Sequence, residues 1–174
     1  MLEAYRRQDL RRDVDFGPQL DAGQFGRLFT EEPWQENPHW EVLIVNHDLN
    51  GKIDGRFINF IYGETDPSFP YSVQSVRRIL ESPGPNEALR LAMIRNLLRH
   101  EVGHMFGLVG RAGAVESLGS HCPNPCSMKQ TLNLRELAEN TVTVERSGRH
   151  FCGECMAELA QSRDRFRPHA PQTR

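Results

Sequence analysis

Two histidines and a glutamate lie close together in the segment HEVGH. His100 and His104 are four residues apart, so on a helix both imidazoles lie on one face, with about 6 Å of rise between them. Both rings could then reach one zinc ion at roughly 2.0–2.1 Å. Glu101 follows the first histidine and could approach the open side of the metal, where it would act as a base rather than as a ligand.

This trio indicates hydrolytic zinc chemistry. A bound zinc would lower the pKa of its water towards about 7 and polarise a scissile carbonyl. Glu101 would take the proton of that water and pass it to the leaving amine. The alternative is a pair of surface histidines on an amphipathic helix, because HExxH also occurs by chance. Gly107 favours the zinc interpretation, since a glycine there can end the helix in a left-handed conformation.

The four cysteines form two short-spaced pairs. Cys122 and Cys126 form a C-x3-C pair, and Cys152 and Cys155 form a C-x2-C pair. Two such pairs can build a tetrahedral zinc site, because each tight turn presents two thiolates on one side. Two disulfides or free buried thiols are the alternatives, although disulfides are rare in cytosolic proteins. His150, beside the second pair, could substitute as a ligand but is more simply a surface residue.

Apolar patterns predict the elements that carry these residues. The best helix spans residues 87–106, where apolar residues recur near the 3.6 period. EVLIVN, at 41–46, reads as a buried strand, and two further strands are expected at 57–64 and 71–76. Asn50-Gly51, within DLNGKIDGR, indicates a turn. Weaker helix patterns cover residues 21–29, 131–139 and 151–161.

Size and composition favour one globular domain without an unusual partner. The chain has 174 residues and a net charge of −2, which gives no reason to expect binding to nucleic acid or to a membrane. The N-terminal segment is charged and lacks the apolar core of a signal peptide. No apolar run approaches the roughly 20 residues of a membrane-spanning helix. We therefore expect a cytoplasmic protein; the oligomeric state is not predictable from the sequence.

The order of these motifs resembles one peptidase family. H-E-x-G-H-x-x-G, then H-C-P-N-P-C-x-M, then C-x-x-C closely resembles the archaemetzincins, metzincin-fold peptidases with a catalytic zinc and a second, four-cysteine zinc. The resemblance covers roughly residues 40–155. It implies an α+β, metzincin-like fold in which a small mixed, twisted sheet packs on an active-site helix, with a zinc-stapled C-terminal part. We expect one catalytic domain over residues 1–162, whose first 38 residues match weakly, and a disordered tail at 163–174.

The resemblance also implies roles for individual residues. His100 and His104 match the first two ligands of the catalytic zinc, and Glu101 matches the general base. His121, directly before a cysteine, matches the third ligand. Met128 matches the methionine that forms an apolar floor under that zinc without binding it. The second, structural zinc would be held by the four cysteines, Cys122, Cys126, Cys152 and Cys155, so the resemblance implies two zinc ions per chain.

The chain departs from the family in its spacings. Residues 108–120 separate Gly107 from His121, whereas the family has two residues there; the first cysteine pair is also tighter, and the stretch between the pairs is longer. Lengthening the loop from two to about thirteen residues costs roughly 1.5–2 kcal/mol of closure entropy. Zinc coordination contributes far more, about 10–16 kcal/mol at structural sites. We therefore expect residues 108–120 to loop out and His121 to remain a ligand; the rivals are completion by water or Glu116, or an inactive site.

Two functions remain open at this level. The first is a zinc metallopeptidase that cleaves peptides or unfolded protein segments, with the substrate aligned along an edge strand near residues 57–62. The second is an inactive, zinc-stabilised pseudo-peptidase that binds a peptide or a protein. The presence of Glu101 favours the first, because a purely structural zinc site has no use for a general base.

Overall fold

The computed structural model describes residues 11–13, 17–25, 40–53, 55–66, 71–111, 115–116 and 120–165. Residues 22–25 are helical, in agreement with the start of the short helix predicted at 21–29. The rest of that helix, most of the weakly matching N-terminal segment, and the predicted tail after residue 165 lie outside the described residues.

Apart from the helical residues 22–25, the described part of the fold consists of nine strands and four helices. The helices are α1 (Arg77–Glu81), α2 (Glu87–Met105), α3 (Leu134–Ser147) and α4 (Gly153–Arg165). The strands are β1 (Arg11–Asp13), β2 (Gly17–Asp21), β3 (Glu41–Val45), β4 (Asp48–Ile53), β5 (Arg56–Ile61), β6 (Gly63–Asp66), β7 (Tyr71–Ser75), β8 (Val115–Glu116) and β9 (Ser120–His121). Among these helices, none is both long and apolar enough to cross a membrane.

The strands form small sheets of mixed direction. One sheet has the order β1-β2-β4-β5, a second has the order β3-β7-β6, and β8 and β9 form a separate hairpin. β2 and β4 are parallel, as are β3 and β7, whereas the other paired strands are antiparallel. Helix α2 packs on β6 and β7. The predicted α+β fold, a mixed sheet on a long helix, is therefore confirmed.

The strand predicted at 41–46 forms, but its predicted burial was wrong. Val42 and Ile44 are 44 % and 49 % exposed, while Val45 is buried and Leu43 packs against the core. β3 lies at the end of the strand order β3-β7-β6, and successive side chains of a strand point to opposite faces. The core therefore covers only one face of this apolar strand.

The turn predicted within DLNGKIDGR forms, but its predicted position at Asn50-Gly51 was wrong. β4 runs through both residues, and its register against β5 shifts between Leu49 and Gly51. A Cβ at Gly51 would lie 2.9 Å from Ile61 Cδ1, so this glycine permits a close approach of the two strands instead of a turn. The chain turns at Gly55, which has the positive φ of 75° that glycine tolerates.

Helix α2 has clear signals at both ends. The Asn86 side chain accepts a hydrogen bond from the Leu89 amide at 2.9 Å, which caps the N-terminus. The helix ends at Met105, and Gly107 has a φ of 73°, as predicted for a glycine that stops a helix. The face that carries Met93 and Leu97 is buried. The motif HEVGH therefore lies in the last two turns of a firmly packed helix.

The two C-terminal helices are longer than their patterns predicted. α3 begins after Asn133 and continues to Ser147, where Gly148 ends it with a φ of 62°. Its apolar stripe is interrupted by the polar residues Asn140 and Thr141, which are nevertheless buried. Because of this interruption, the sequence pattern did not predict the second half of the helix. α4 continues to Arg165, past residue 162, where we expected the ordered domain to end.

Candidate metal centres

Three histidine side chains converge at the C-terminal end of α2. His100 and His104 come from the helix, and His121 comes from β9. One ring nitrogen of each lies within 4.8 Å of the others. The Nε2 atoms of His100 and His104 are 3.2 Å apart, and the ring centroid of His121 lies 5.2 Å and 5.3 Å from those two rings. The structure thus brings together the three histidines singled out in the sequence.

The histidine cluster fits the requirements of a zinc site. Two nitrogens bound to one tetrahedral zinc at 2.0–2.1 Å are separated by about 3.3 Å, close to the 3.2 Å found here. Nδ1 of His100 lies 2.8 Å from the Ser127 carbonyl oxygen; that nitrogen must donate, which leaves Nε2 free to bind a metal. Burial lowers the pKa of His100 and lowers that of His104 to about 2. Both rings are therefore neutral and can act as ligands.

A short hairpin returns His121 to the helix. Val115 pairs with His121 and Glu116 pairs with Ser120 across β8 and β9. Directly after this hairpin, the Cys122 amide donates to the Met128 carbonyl at 3.0 Å. The hairpin therefore brings His121 to the histidine site. The expectation that the whole segment 108–120 loops out is wrong at its start, because Leu108 and Val109 are buried and line the pocket beside the histidines. The side chain of Glu116, the rival ligand, lies outside the described side chains.

Glu101 lies beside the histidines and is held by a chain of hydrogen bonds. Its side chain is only 6 % exposed, and the Thr65 hydroxyl donates to Oε2 at 2.7 Å. Ser72 Oγ lies 2.5 Å from the same hydroxyl, and Gln74 Nε2 donates to Ser72 Oγ at 2.5 Å. Burial raises the pKa of Glu101 to about 7, against the lowering effect of the Thr65 hydrogen bond. A carboxylate whose pKa is raised by burial accepts a proton more readily than an exposed one.

Two glycines, Gly63 and Gly103, allow close contacts at helix α2. A Cβ at Gly63, on β6, would lie 2.6 Å from Glu101 Oε1. A Cβ at Gly103, within HEVGH, would collide with Met128 Sδ and lie 3.0 Å from its Cε. Met128 is fully buried, so the methionine expected under the zinc site packs directly against α2. The contacts of Gly63 and Thr65 with Glu101 were missed by sequence reasoning, whereas Gly103 lies inside the motif and could have been noticed.

The histidines open into a pocket formed by described residues. Its volume is about 490 Å³, and Glu101 and all three histidines line it. Phe60, Ile61 and Tyr62 line one side, and residues 129–132 line the other. β5 ends its sheet in the order β1-β2-β4-β5. Of the strand near 57–62, the last three residues therefore line the pocket; that this strand aligns a peptide stays a prediction.

The four cysteine sulfurs form a second cluster. Cys122 Sγ and Cys152 Sγ are 3.6 Å apart, and Cys126 Sγ and Cys155 Sγ are 3.9 Å apart. Sulfurs bound to one tetrahedral zinc at 2.3 Å are separated by about 3.8 Å, whereas bonded disulfide sulfurs lie about 2.05 Å apart. All four cysteines are free, and their sulfurs lie within 4.8 Å of one another. The donor set therefore fits zinc; His150 is not part of this group.

The two clusters share one stretch of backbone. His121 belongs to the histidine cluster and Cys122, the next residue, belongs to the cysteine cluster. Cys126 is a cysteine-cluster residue, and the adjacent Ser127 accepts the hydrogen bond of His100. The side-chain Nδ2 of Asn140 donates to the Cys126 carbonyl oxygen at 3.0 Å. This hydrogen bond connects the shared stretch to α3. A metal at the cysteines would therefore also fix the position of two parts of the histidine site.

The fold of the chain is the one found in solved archaemetzincin structures. The structure is similar to that of archaemetzincin from Methanopyrus kandleri, with a TM-score of 0.60 and 23 % identity over 84 % of this chain and 67 % of that one. It is similar to a zinc-dependent peptidase from Methanocorpusculum labreanum, with a TM-score of 0.57 and 22 % identity over 87 % and 80 % of the chains. It is also similar to archaemetzincin from Archaeoglobus fulgidus complexed with malonate, with a TM-score of 0.53 and 21 % identity over 80 % of this chain and 69 % of that one.

The sequence comparison points to the same family. The chain is 32 % identical to Methanopyrus kandleri archaemetzincin over 105 residues, which are 60 % of this chain and 47 % of the relative. The chain thus spans about half the length of the curated relative that it matches. No family profile matches the chain. The resemblance to the archaemetzincins that the motifs indicated is confirmed in sequence and in fold.

Proposed function

We propose that this chain is a zinc-dependent peptidase of the archaemetzincin type. In this proposal, His100, His104 and His121 hold a catalytic zinc, and Glu101 is the general base. The convergence of three histidines beside a buried carboxylate carries the proposal. The names of the relatives, archaemetzincin and zinc-dependent peptidase, support it.

The residues of the site have distinct tasks in peptide hydrolysis. A bound zinc supplies the Lewis acidity that activates water and polarises the scissile carbonyl. Glu101 accepts a proton at its carboxylate and delivers it to the leaving amine. Thr65, which donates to Oε2, keeps that carboxylate in one orientation. The Ser127 carbonyl, 2.8 Å from Nδ1 of His100, holds that imidazole with Nε2 towards the metal position.

The second zinc, bound by Cys122, Cys126, Cys152 and Cys155, has a structural role in this proposal. It joins the segment after β9 to the start of α4 and contributes to folding. Because Cys122 follows His121 directly, this zinc also restricts where the third histidine can lie. A long excursion at 108–120 is then compatible with a working site.

The substrate is a peptide or an unfolded protein segment bound in the pocket beside β5. Backbone hydrogen bonds to the strand near 57–62 would align it across the histidines. A cytoplasmic location belongs to the same proposal.

Substitution of Glu101 separates a peptidase from a pseudo-peptidase. Glu101→Gln protein should contain two zinc ions but lose hydrolysis of a fluorogenic peptide mixture by at least about 100-fold. A module that only binds peptides would not hydrolyse the mixture in wild-type form, and its binding would not change in the variant. Inactive wild-type protein with both zincs bound would therefore refute the peptidase function.

Substitution of His121 tests the histidine site itself. His121→Ala protein should hold one zinc per chain, at the cysteines, and should be inactive. His47→Ala is the matched control, because His47 is exposed and is not among the clustered histidines. Two zincs and full activity in His121→Ala protein would contradict the role of this histidine.

A further inference from the structure

Arg111 lies in the segment 108–120, by which the chain departs from its family, and it contacts the cysteine cluster. Its Nη2 donates to Cys122 Sγ at 3.0 Å. Both Nη atoms lie 3.7 Å from Cys155 Sγ. Only 18 % of the side chain is exposed, which is unusual for arginine. The guanidinium therefore spans one cysteine from each pair.

Two carboxylates of α4 hold the guanidinium in place. Glu154 Oε2 lies 3.1 Å from Nη2, and Glu158 forms an ion pair with Nη1. Glu158 also accepts a hydrogen bond from the Val109 amide at 3.1 Å. Val109 has a φ of 69°, a left-handed conformation that a β-branched residue rarely adopts. The start of the excursion is thus anchored on α4 by several contacts that together maintain a strained backbone.

The charge of a four-thiolate zinc site explains why an arginine belongs there. Four thiolates around one Zn²⁺ leave two net negative charges, which are costly to bury without compensation. A guanidinium remains protonated and offers several fixed N–H donors, so it can bond to more than one sulfur at once. A charge-assisted hydrogen bond is about twice as strong as a neutral one.

We propose that Arg111 is a cationic clamp on the four-cysteine zinc site: it compensates the thiolate charge, slows zinc loss, and anchors the 108–120 excursion. The inference rests on the proposed second zinc. It also assigns a use to the excursion, because the segment that separates His104 from His121 supplies the residue that stabilises the neighbouring metal centre. Arg111 touches no substrate and is a positioning residue.

The test measures zinc release from the cysteine site of the full chain. Wild-type, Arg111→Gln, Arg111→Lys and Arg135→Gln proteins are mixed with a chromophoric zinc chelator, and the slow phase of release is followed. Arg135 is the matched control, because it is an arginine paired with Glu139 on the exposed surface. Protein loaded with cobalt(II) identifies the phase, since only the cysteine site gives thiolate-to-cobalt absorption bands.

We expect Arg111→Gln to release the cysteine-bound metal at least about tenfold faster than wild type. Arg111→Lys, which keeps the charge but loses the planar fork, should fall between the two, and Arg135→Gln should match wild type. A wild-type release rate in Arg111→Gln protein would overturn the clamp. If Arg111→Gln does not fold, Arg111→Lys is compared with Arg135→Gln. The clamp requires one planar guanidinium that contacts two sulfurs, which lysine cannot reproduce, so a wild-type release rate in Arg111→Lys would overturn it.

Failure of the clamp can be told apart from failure of the metal site. Wild-type protein without thiolate-to-cobalt bands would refute the second zinc itself, and with it this inference. Normal bands with equal release rates in all variants would refute only the role of Arg111. The peptidase function is read separately, from peptide hydrolysis at the histidine site.

Discussion

The substitution Gly63→Ala would place a methyl group directly against Glu101, the proposed base. The new Cβ would lie 2.6 Å from Oε1 and 2.7 Å from Cδ of Glu101. Ordinary van der Waals contact begins at 3.4 Å, so the carboxylate must withdraw by about 0.8 Å, the difference between 3.4 and 2.6 Å. A misplacement of about 1 Å in catalytic geometry can cost about 100-fold in rate. We therefore expect kcat to fall by about 10- to 100-fold.

The assay is hydrolysis of a fluorogenic peptide by zinc-loaded protein, with zinc content and a thermal melt measured on the same samples. The zinc content should stay at the wild-type value, because the three atoms nearest to the added methyl group all belong to Glu101 and not to a histidine. Gly153→Ala is the matched control, since nothing lies within 4 Å of a Cβ at Gly153, and its kcat should be unchanged. A folded, zinc-loaded Gly63→Ala enzyme with kcat within about twofold of wild type would show that Glu101 is not the reacting base.

Three further substitutions test other contacts. Thr65→Val removes the hydroxyl that donates to Glu101 and should lower kcat by about tenfold or more, whereas Thr65→Ser should restore most of it. Gly103→Ala should gain about 1 kcal/mol from helix propensity. The new methyl group overpacks the buried Met128, which costs about 1–3 kcal/mol, so urea denaturation should show a free energy of unfolding lower by up to about 2 kcal/mol. Arg78→Met leaves fully buried Asp48 without its charge partner and should lower the free energy of unfolding by about 3–5 kcal/mol.

Each of these expectations has a clear contrary result. Equal kcat for Thr65→Val and wild type would mean that the hydroxyl does not orient the base. A Gly103→Ala protein more stable than wild type would mean that Met128 can move aside without cost. For Arg78→Met, the control is Arg77→Met, whose half-exposed pair with Glu81 should be worth less than about 1 kcal/mol; equal losses in the two variants would contradict the burial argument.

The residues of the two clusters could be predicted because their spacing is local in sequence. His100 and His104 share a helix face by spacing alone, and each cysteine pair is built by one tight turn. The position of His121 could not be predicted from local spacing, because nothing in the sequence of residues 108–120 indicates the hairpin that brings His121 to the other two histidines. Its placement could be expected from the adjacent Cys122, which belongs to a second cluster.

The supporting residues could not be predicted, because their contacts join distant parts of the chain. Thr65 and Glu101 are 36 residues apart, and Arg111 and Cys155 are 44 residues apart. Neither Thr65 nor Arg111 has a local pattern that distinguishes it from a surface residue. The errors in β3 and β4 have the same origin: which face is covered, and where strands approach closely, depends on sheet neighbours.

The central claim is that one metal lies among three histidines, one of them supplied after the long excursion, and that a second lies among the four cysteines. Anomalous diffraction from crystals of the full chain, recorded above and below the zinc absorption edge, tests it most directly. The account predicts two peaks per chain, one bonded to Nε2 of His100, Nε2 of His104 and a ring nitrogen of His121, and one bonded to the four sulfurs. A histidine-site peak without His121 as a ligand, or no peak at that site, would contradict it.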